Sequence, residues 1–310
     1  MNKTCIFTSA DNSYIPFAAI TLLGIRKYNP TVDLYILTSY ISKDMKTLLA
    51  GYGIGYKEMD LRSIFTQTWD YPIECYYLFA GPELFYEMGY DRSVYVDGDL
   101  LCKRDPLDFE FIKDIEGMAG VPGGNSLDIF GGDNAKIQRI WGIDAEVQKN
   151  RIRINSGVIY FNNHTMSATR LLDKAGAVFR QAISEDIPRK GDDSLLTLVN
   201  LLHFDKSQNL ILPAAHNFIP QYHEVHAYPV KDLILFHFGG DGMRKPWNPD
   251  AYQSLTPYTP YVYEWRKLAK QHLSKVMYRQ FIQQTRLSTS YKLLYVYLIK
   301  GMHKFRLYFT

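Results

Sequence analysis

RSVYVDGD, residues 92–99, joins a run of β-branched and aromatic residues directly to a turn made of two carboxylates around a glycine. The run predicts a buried strand, because Val and Tyr suit a pleated surface packed against neighbours. Upstream, short apolar segments alternate with helically spaced ones. Thr4–Ser9, Asp33–Thr38 (DLYILT) and Tyr56–Asp60 read as strands, and Pro16–Lys27 and Lys43–Tyr52 as helices. Ile73–Leu78 and Pro82–Met88 are helix-like. This alternation predicts an α/β fold with a mostly parallel sheet and helices on both faces. In open sheets of that kind a ligand sits at the carboxyl ends of the strands. The loop Ala10–Tyr14 and the turn Asp97–Asp99 both fall at that edge.

Beyond residue 99 the pattern is less regular. Met118–Val121 and Arg153–Phe161 (RINSGVIYF) predict strands, and the glycine-rich stretch Gly120–Gly132 predicts a loop. Ser167–Ser184 reads as one helix, and Asp192–Leu201 opens another. Leu233–Phe238 (LILFHF) is a late strand, followed by a Gly-rich turn and Lys245-Pro246-Trp247. The Pro/Tyr stretch Thr256–Tyr263 marks a boundary between a body, residues 1–255, and a helical tail, residues 256–310.

Composition narrows the class. With 46% hydrophobic and 22% charged residues in 310, the chain is globular rather than disordered. Three scattered cysteines make no paired framework, so a reducing compartment is expected. The first residues turn polar too soon for a signal-peptide core, and no run is long and apolar enough to predict a membrane span. Net charge is only +3, but its distribution is uneven: no Asp or Glu follows Glu264, whereas ten Lys and Arg do. Tyr278, Phe281, Leu293, Leu294 and Tyr297 are interleaved with them. A basic helix with an aromatic side predicts attachment to an anionic membrane surface. The other reading is a helix pair packed on the body or on a second copy. No nucleic-acid motif accompanies the basic residues, so no nucleic-acid partner is expected. The expected location is cytoplasmic, peripheral on the inner face of the plasma membrane.

Two constellations carry chemistry. Asp97 and Asp99, two residues apart at a strand end, can reach one hard cation, with small Gly98 letting the backbone turn. Such a cation, Mn²⁺ or Mg²⁺, could bridge two phosphates of a nucleotide. The same tripeptide also occurs in plain turns. His237 could complete the coordination. Backbone N–H groups near Gly239 and Gly240, with the Lys245 ammonium, could receive a phosphate. The alternative is a strand-end histidine satisfied by the backbone beside a Gly/Pro turn.

Taken together the segments resemble glycosyltransferase family 8, the retaining enzymes of the Rossmann-like GT-A fold. The resemblance covers roughly the first 250 residues and rests on motifs in shared order. Ala10-Asp11-Asn12 resembles the family's uracil-binding loop. Tyr76-Tyr77 and Pro82-Glu83-Leu84 resemble its YYR…PEL helix. Val94–Asp99 resembles its strand and DxD motif, Ile154–Gly157 (INSG) its N-A/S-G segment, and His237…Lys245-Pro246-Trp247 its H-x-x-G…K-P-W. The resemblance implies that Asp97, Asp99 and His237 hold Mn²⁺. Ala10, Asp11 and Tyr14 would surround the uridine, with Val96 and Gly98 near the ribose. Asn155 would hydrogen-bond the donor hexose, and Gly240 and Lys245 would grip the diphosphate.

Two positions depart from the pattern. Leu78 stands where the family usually has Arg, so a cation is missing unless Arg92 or Arg244 supplies it. Gly191-Asp192-Asp193 stands where the family commonly shows D-Q-D, with the register open by one residue. The expected activity is retaining transfer of galactose or glucose from UDP-galactose or UDP-glucose to a sugar acceptor. Asp192 or Asp193 would be the nucleophile or ion-pair partner of an oxocarbenium-like state. The basic tail suggests a lipid-linked acceptor in cell-surface polysaccharide synthesis. A non-catalytic sugar- or lipid-binding scaffold is the alternative that the two departures keep open. A nucleotidyltransferase is disfavoured, because Asp11-Asn12 is opposite in charge to the basic N-terminal loop such enzymes carry.

Overall fold

The computed structural model describes residues 3–66, 71–125, 134–143, 152–187, 191–220, 232–239, 245–248, 251 and 258–281. Its centre is a seven-stranded sheet. The strands are β1 (Thr4–Ser9), β2 (Asp33–Thr38), β3 (Gly55–Glu58), β4 (Arg92–Val96), β6 (Met118–Asn125), β7 (Ile152–Asn162) and β8 (Asn209–Ile211). They lie in the order β3-β2-β1-β4-β7-β6-β8. β7 runs against both of its neighbours, and the remaining pairs are parallel. The sheet is therefore mixed and mostly parallel, as the sequence predicts. A second small sheet pairs β5 (Leu100–Cys102) with β9 (Leu235–His237).

The central strands are buried along most of their length because both faces are covered. On β1, Ile6 joins one core cluster and Cys5 and Phe7 the other, all fully buried. The first face is covered by α1 (Ile15–Arg26) and α8 (Thr259–His272). The second is covered by the 3-10 segment Ile73–Phe79 with α6 (Leu171–Ser184) and α7 (Gly191–His203). Helices α2 (Lys43–Gly51), α3 (Gly81–Glu87), α4 (Asn134–Trp141), α5 (Asn163–Thr169) and α9 (Lys275–Phe281) complete the described elements. α8 lies in the stretch assigned to the tail. It packs on α1, and its Trp265 is fully buried in the same core.

Two expectations need correction, and one strand was not foreseen. Gly120–Gly132 is not loop from its start, because β6 continues to Asn125. It does so through two register shifts around Pro122, a residue with no N–H to give the ladder. Ser167–Ser184 is not one helix. Arg170 takes a left-handed φ of 54° between α5 and α6. Glu83 Oε1 accepts the Leu172 N–H at 2.7 Å, which satisfies a free donor of the new first turn. Finally, the strand β5 carries no periodic signal in its three residues and is read only from its pairing.

Candidate active site

The site is assembled by two strand registers at the carboxyl edge of β1 and β4. β7 is long enough to run past the end of β4, so Val96 pairs with Val158 and the Asp97 N–H donates to Gly157 O at 2.8 Å. That sets Asn155-Ser156-Gly157 beside the carboxylate turn. The chain then leaves the turn as β5, where Leu100 pairs with His237 and Phe238 N donates to Asp99 O at 3.1 Å. A histidine more than a hundred residues downstream is thereby placed over the two acids.

The three side chains converge. His237 Nε2 lies 3.3 Å from Asp97 Oδ2 and 3.2 Å from Asp99 Oδ1. One ligand atom from each residue falls within 4.8 Å of the other two. Two carboxylate oxygens and one imidazole nitrogen suit a divalent cation of the Mn²⁺ type. The other ring nitrogen, Nδ1, lies 2.9 Å from Asn217 Oδ1. Coordination through Nε2 leaves the proton on Nδ1, where Asn217 accepts it; this is the usual support of a metal-binding histidine. Glycine is required beneath this ring, since a Cβ on Gly157 would lie 2.4 Å from His237 Cε1. The residues therefore fit the ion.

Charge is distributed unequally across the pair. Burial pushes the Asp97 carboxyl up, against the pull of His237. Burial acts on Asp99 in the same direction, but Lys245 and then His237 outweigh it and hold that carboxyl below the usual range. Lys245 Nζ donates to Asp99 Oδ2 and, at 2.9 Å, to Phe238 O. Tyr95 OH donates to Asp97 Oδ1 at 2.9 Å. Thr21 Oγ1, on α1, donates to Gly98 O at 2.8 Å and fixes the turn.

The other expected residues lie as follows. Gly98 is pressed on Tyr14, whose Cε1 would be 2.7 Å from any added Cβ. Tyr14 meets Trp247 edge-on at 5.3 Å, and Trp247 stacks on Phe17 at 4.2 Å. Asp11 Oδ1 is engaged within its own loop, accepting from Ser13 N and Tyr14 N at 2.8 and 2.9 Å. Ala10 and Val96 are buried, so their backbones are what they can offer a ligand. Asn155 Oδ1 accepts from Gly157 N and from Asn217 Nδ2, at 2.9 and 2.7 Å. Only its amide NH₂ is left to meet a hexose. Asp193 accepts from Ser156 N at 3.1 Å and pairs with Arg153. Asp192 is half-buried, and burial, then the charge of Asp97, pushes its carboxyl up to about 7. Gly240 and Arg244 lie outside the described residues.

Arg92 does not replace the missing cation. It opens β4 at the far end of the sheet, and its guanidinium donates to Lys113 O. Leu78 is fully buried in the apolar layer. The described cations at the site are Lys245 and Arg153. Sequence reading missed Arg153, Asn217, Tyr95 and Thr21; Arg153, Asn217 and Thr21 meet their partners in the site at least 20 residues away, and Tyr95 lies inside the apolar run that reads as plain strand. It also missed the support from α8, where Arg266 donates to Pro246 O and Asn248 O at 2.5 and 2.6 Å and anchors the Lys245 segment.

Comparison with known proteins follows the same lines. Residues 5–251 match the profile of the family described as glycosyl transferase family 8. No curated protein sequence is significantly similar to the chain. Among solved structures, the galactosyltransferase LgtC in complex with donor and acceptor sugar analogs is 17% identical with a TM-score of 0.62, over 86% of this chain and 95% of that one. The glycosyltransferase GlyE of Streptococcus pneumoniae TIGR4 is 17% identical with a TM-score of 0.55, over 92% of this chain and 67% of that one. Mouse xyloside xylosyltransferase 1 is 12% identical with a TM-score of 0.51, over 78% of this chain and 99% of that one. The architecture is that of the GT-A fold.

Proposed function

The chain belongs to glycosyl transferase family 8, and from that premise we propose that it is a retaining enzyme moving galactose or glucose from a UDP-sugar to a sugar acceptor. The observation that carries this reading is the convergence of Asp97, Asp99 and His237 at the carboxyl edge of the sheet. A divalent cation bound there, Mn²⁺ or Mg²⁺, would offset the charge that grows on the diphosphate as the glycosidic bond breaks. Asp97, Asp99 and His237 would hold it, and Lys245 would add a second positive charge toward the phosphates. Tyr14, Asp11 and the backbones of Ala10 and Val96 would receive the uridine. The Asn155 amide would donate to a hexose hydroxyl. Of the two acids that open α7, Asp193 is in the direct ion pair with Arg153 and accepts from Ser156 N, while Asp192 hydrogen-bonds Ser156 and feels Arg153 only as a neighbouring charge. That favours Asp192 as the carboxylate that faces positive charge on the sugar ring.

The acceptor is lipid-linked in this reading, and the enzyme works from the cytoplasmic face of a membrane. Lys267, Lys270, Lys275 and Arg279 are exposed on α8 and α9, and Val276 beside them is 73% exposed, which supports an anionic lipid surface as the attachment. Co-sedimentation with anionic but not zwitterionic vesicles tests that part.

The central test is UDP release from a panel of UDP-sugars, with and without Mn²⁺, in the presence of free and lipid-linked glycans. Mn²⁺-dependent release from UDP-galactose or UDP-glucose is expected. Binding of UDP without turnover of any donor would instead identify a sugar-binding scaffold.

A further inference from the structure

We infer that Lys245 makes divalent-cation binding depend on the nucleotide: with no diphosphate present, its ammonium opposes the ion by sharing Asp99. The inference rests on the reading of Asp97, Asp99 and His237 as a metal site. Asp99 has two oxygens, and both are in use. Oδ1 faces His237 Nε2 at 3.2 Å, while Oδ2 accepts from Lys245 Nζ. The same ammonium is held by Phe238 O at 2.9 Å, in the strand extension that carries His237. Lys245 is thus seated against the cluster itself, not beside it. Two carboxylates and one ammonium leave the site with one net negative charge to attract a divalent ion.

A cation this close weakens a divalent ion in two ways. It repels the ion directly, and it withdraws electron density from the carboxylate that must coordinate it. A diphosphate removes both effects. It carries acceptor oxygens that the ammonium can reach, and lysine is a point charge on a flexible four-carbon stem. The Lys245 side chain is 36% exposed, so it has an open side on which to meet such a group. Trp247, two residues on, is stacked on Phe17, and Arg266 grips the backbone of Pro246 and Asn248. The segment that carries Lys245 is therefore anchored, and the change of partner is confined to the side chain. By linkage, whatever the nucleotide does for the metal, the metal does equally for the nucleotide.

The test is a titration of the full chain with Mn²⁺, followed by the electron-paramagnetic resonance of the free ion, without nucleotide and with saturating UDP. The wild type is expected to bind Mn²⁺ weakly alone and much more tightly with UDP. Lys245→Met is expected to bind Mn²⁺ alone about tenfold more tightly, with little gain in the presence of UDP, so the coupling factor falls about tenfold. Lys245→Gln, which keeps a donor without charge, should move the same way. Equal tightening with and without UDP would mean a fixed background charge and would overturn the inference, as would unchanged affinity. A wild type that binds no Mn²⁺ even with UDP would sink the metal-site reading itself, and this inference with it.

Discussion

His237 and Asn217 are joined through Nδ1 and Oδ1 at 2.9 Å, and the same Asn217 amide donates to Asn155 Oδ1 at 2.7 Å. One buried asparagine thus sets both the tautomer of the histidine and the position of the residue expected at the donor hexose. Replacing Asn217 with Ala should weaken Mn²⁺ binding about 10- to 100-fold, in line with other outer partners of metal ligands. Mn²⁺ titration in saturating UDP reads this directly. An affinity within twofold of wild type would mean that Asn217 does not orient the ring.

Gly157→Ala adds a methyl group 2.4 Å from His237 Cε1 and 2.7 Å from Nδ1. The ring must shift away from the acids, or β7 must move. A stability loss of about 1–3 kcal/mol is expected, together with weaker metal binding. Chemical denaturation and the Mn²⁺ titration check the two effects separately. A variant as stable as the wild type, with unchanged metal affinity, would contradict the packing described.

Asp99→Asn keeps shape but removes the charge that both His237 and Lys245 meet. Loss of the metal's charge stabilisation, worth several kcal/mol, corresponds to roughly a 100-fold or greater fall in turnover. The Mn²⁺–UDP complex should also stop raising the melting temperature, because ligand stabilisation follows affinity. A retained thermal shift with lost turnover would move Asp99 from metal binding to some other role.

Asp192 has a distinctive pH signature. Its carboxyl is pushed up to about 7 by burial and by Asp97, so between about pH 4 and 7 the folded chain binds a proton that the unfolded chain has released. Stability must then fall across that window as pH rises. Asp192→Asn removes the penalty. Without ligand, it should match wild type near pH 3, gain stability progressively to about pH 7, and keep a gain of about 2 kcal/mol above that, after allowance for partial solvation. Melting curves from pH 3 to 8 measure it. A variant less stable than wild type at pH 8 would show that the charged form is favoured.

The amino-acid sequence determined the class of fold, the edge at which the site lies, and the paired acids Asp97 and Asp99, because these depend on local signals, while His237 entered as their partner through the family resemblance. Strand runs show in β-branched and aromatic content, α1 and α2 in their helical spacing, and Asp97-Gly98-Asp99 in its contrast with the apolar run before it. Asp192 was singled out from sequence, but its division of labour with Asp193 needed Arg153 and Ser156 to be placed. Tyr95 reaches Asp97 two residues along its own chain, whereas Asn217 and Thr21 join the site only through tertiary packing, Asn217 from the turn after Ala214–His216 and Thr21 from α1. The same holds for the end of β6 and for the break at Arg170, which answer to Pro122 in its ladder and to Glu83 on another helix. Periodicity records which side of an element is buried. Which polar group will satisfy a buried neighbour is decided by tertiary packing across long sequence separations, and only the folded chain contains that information.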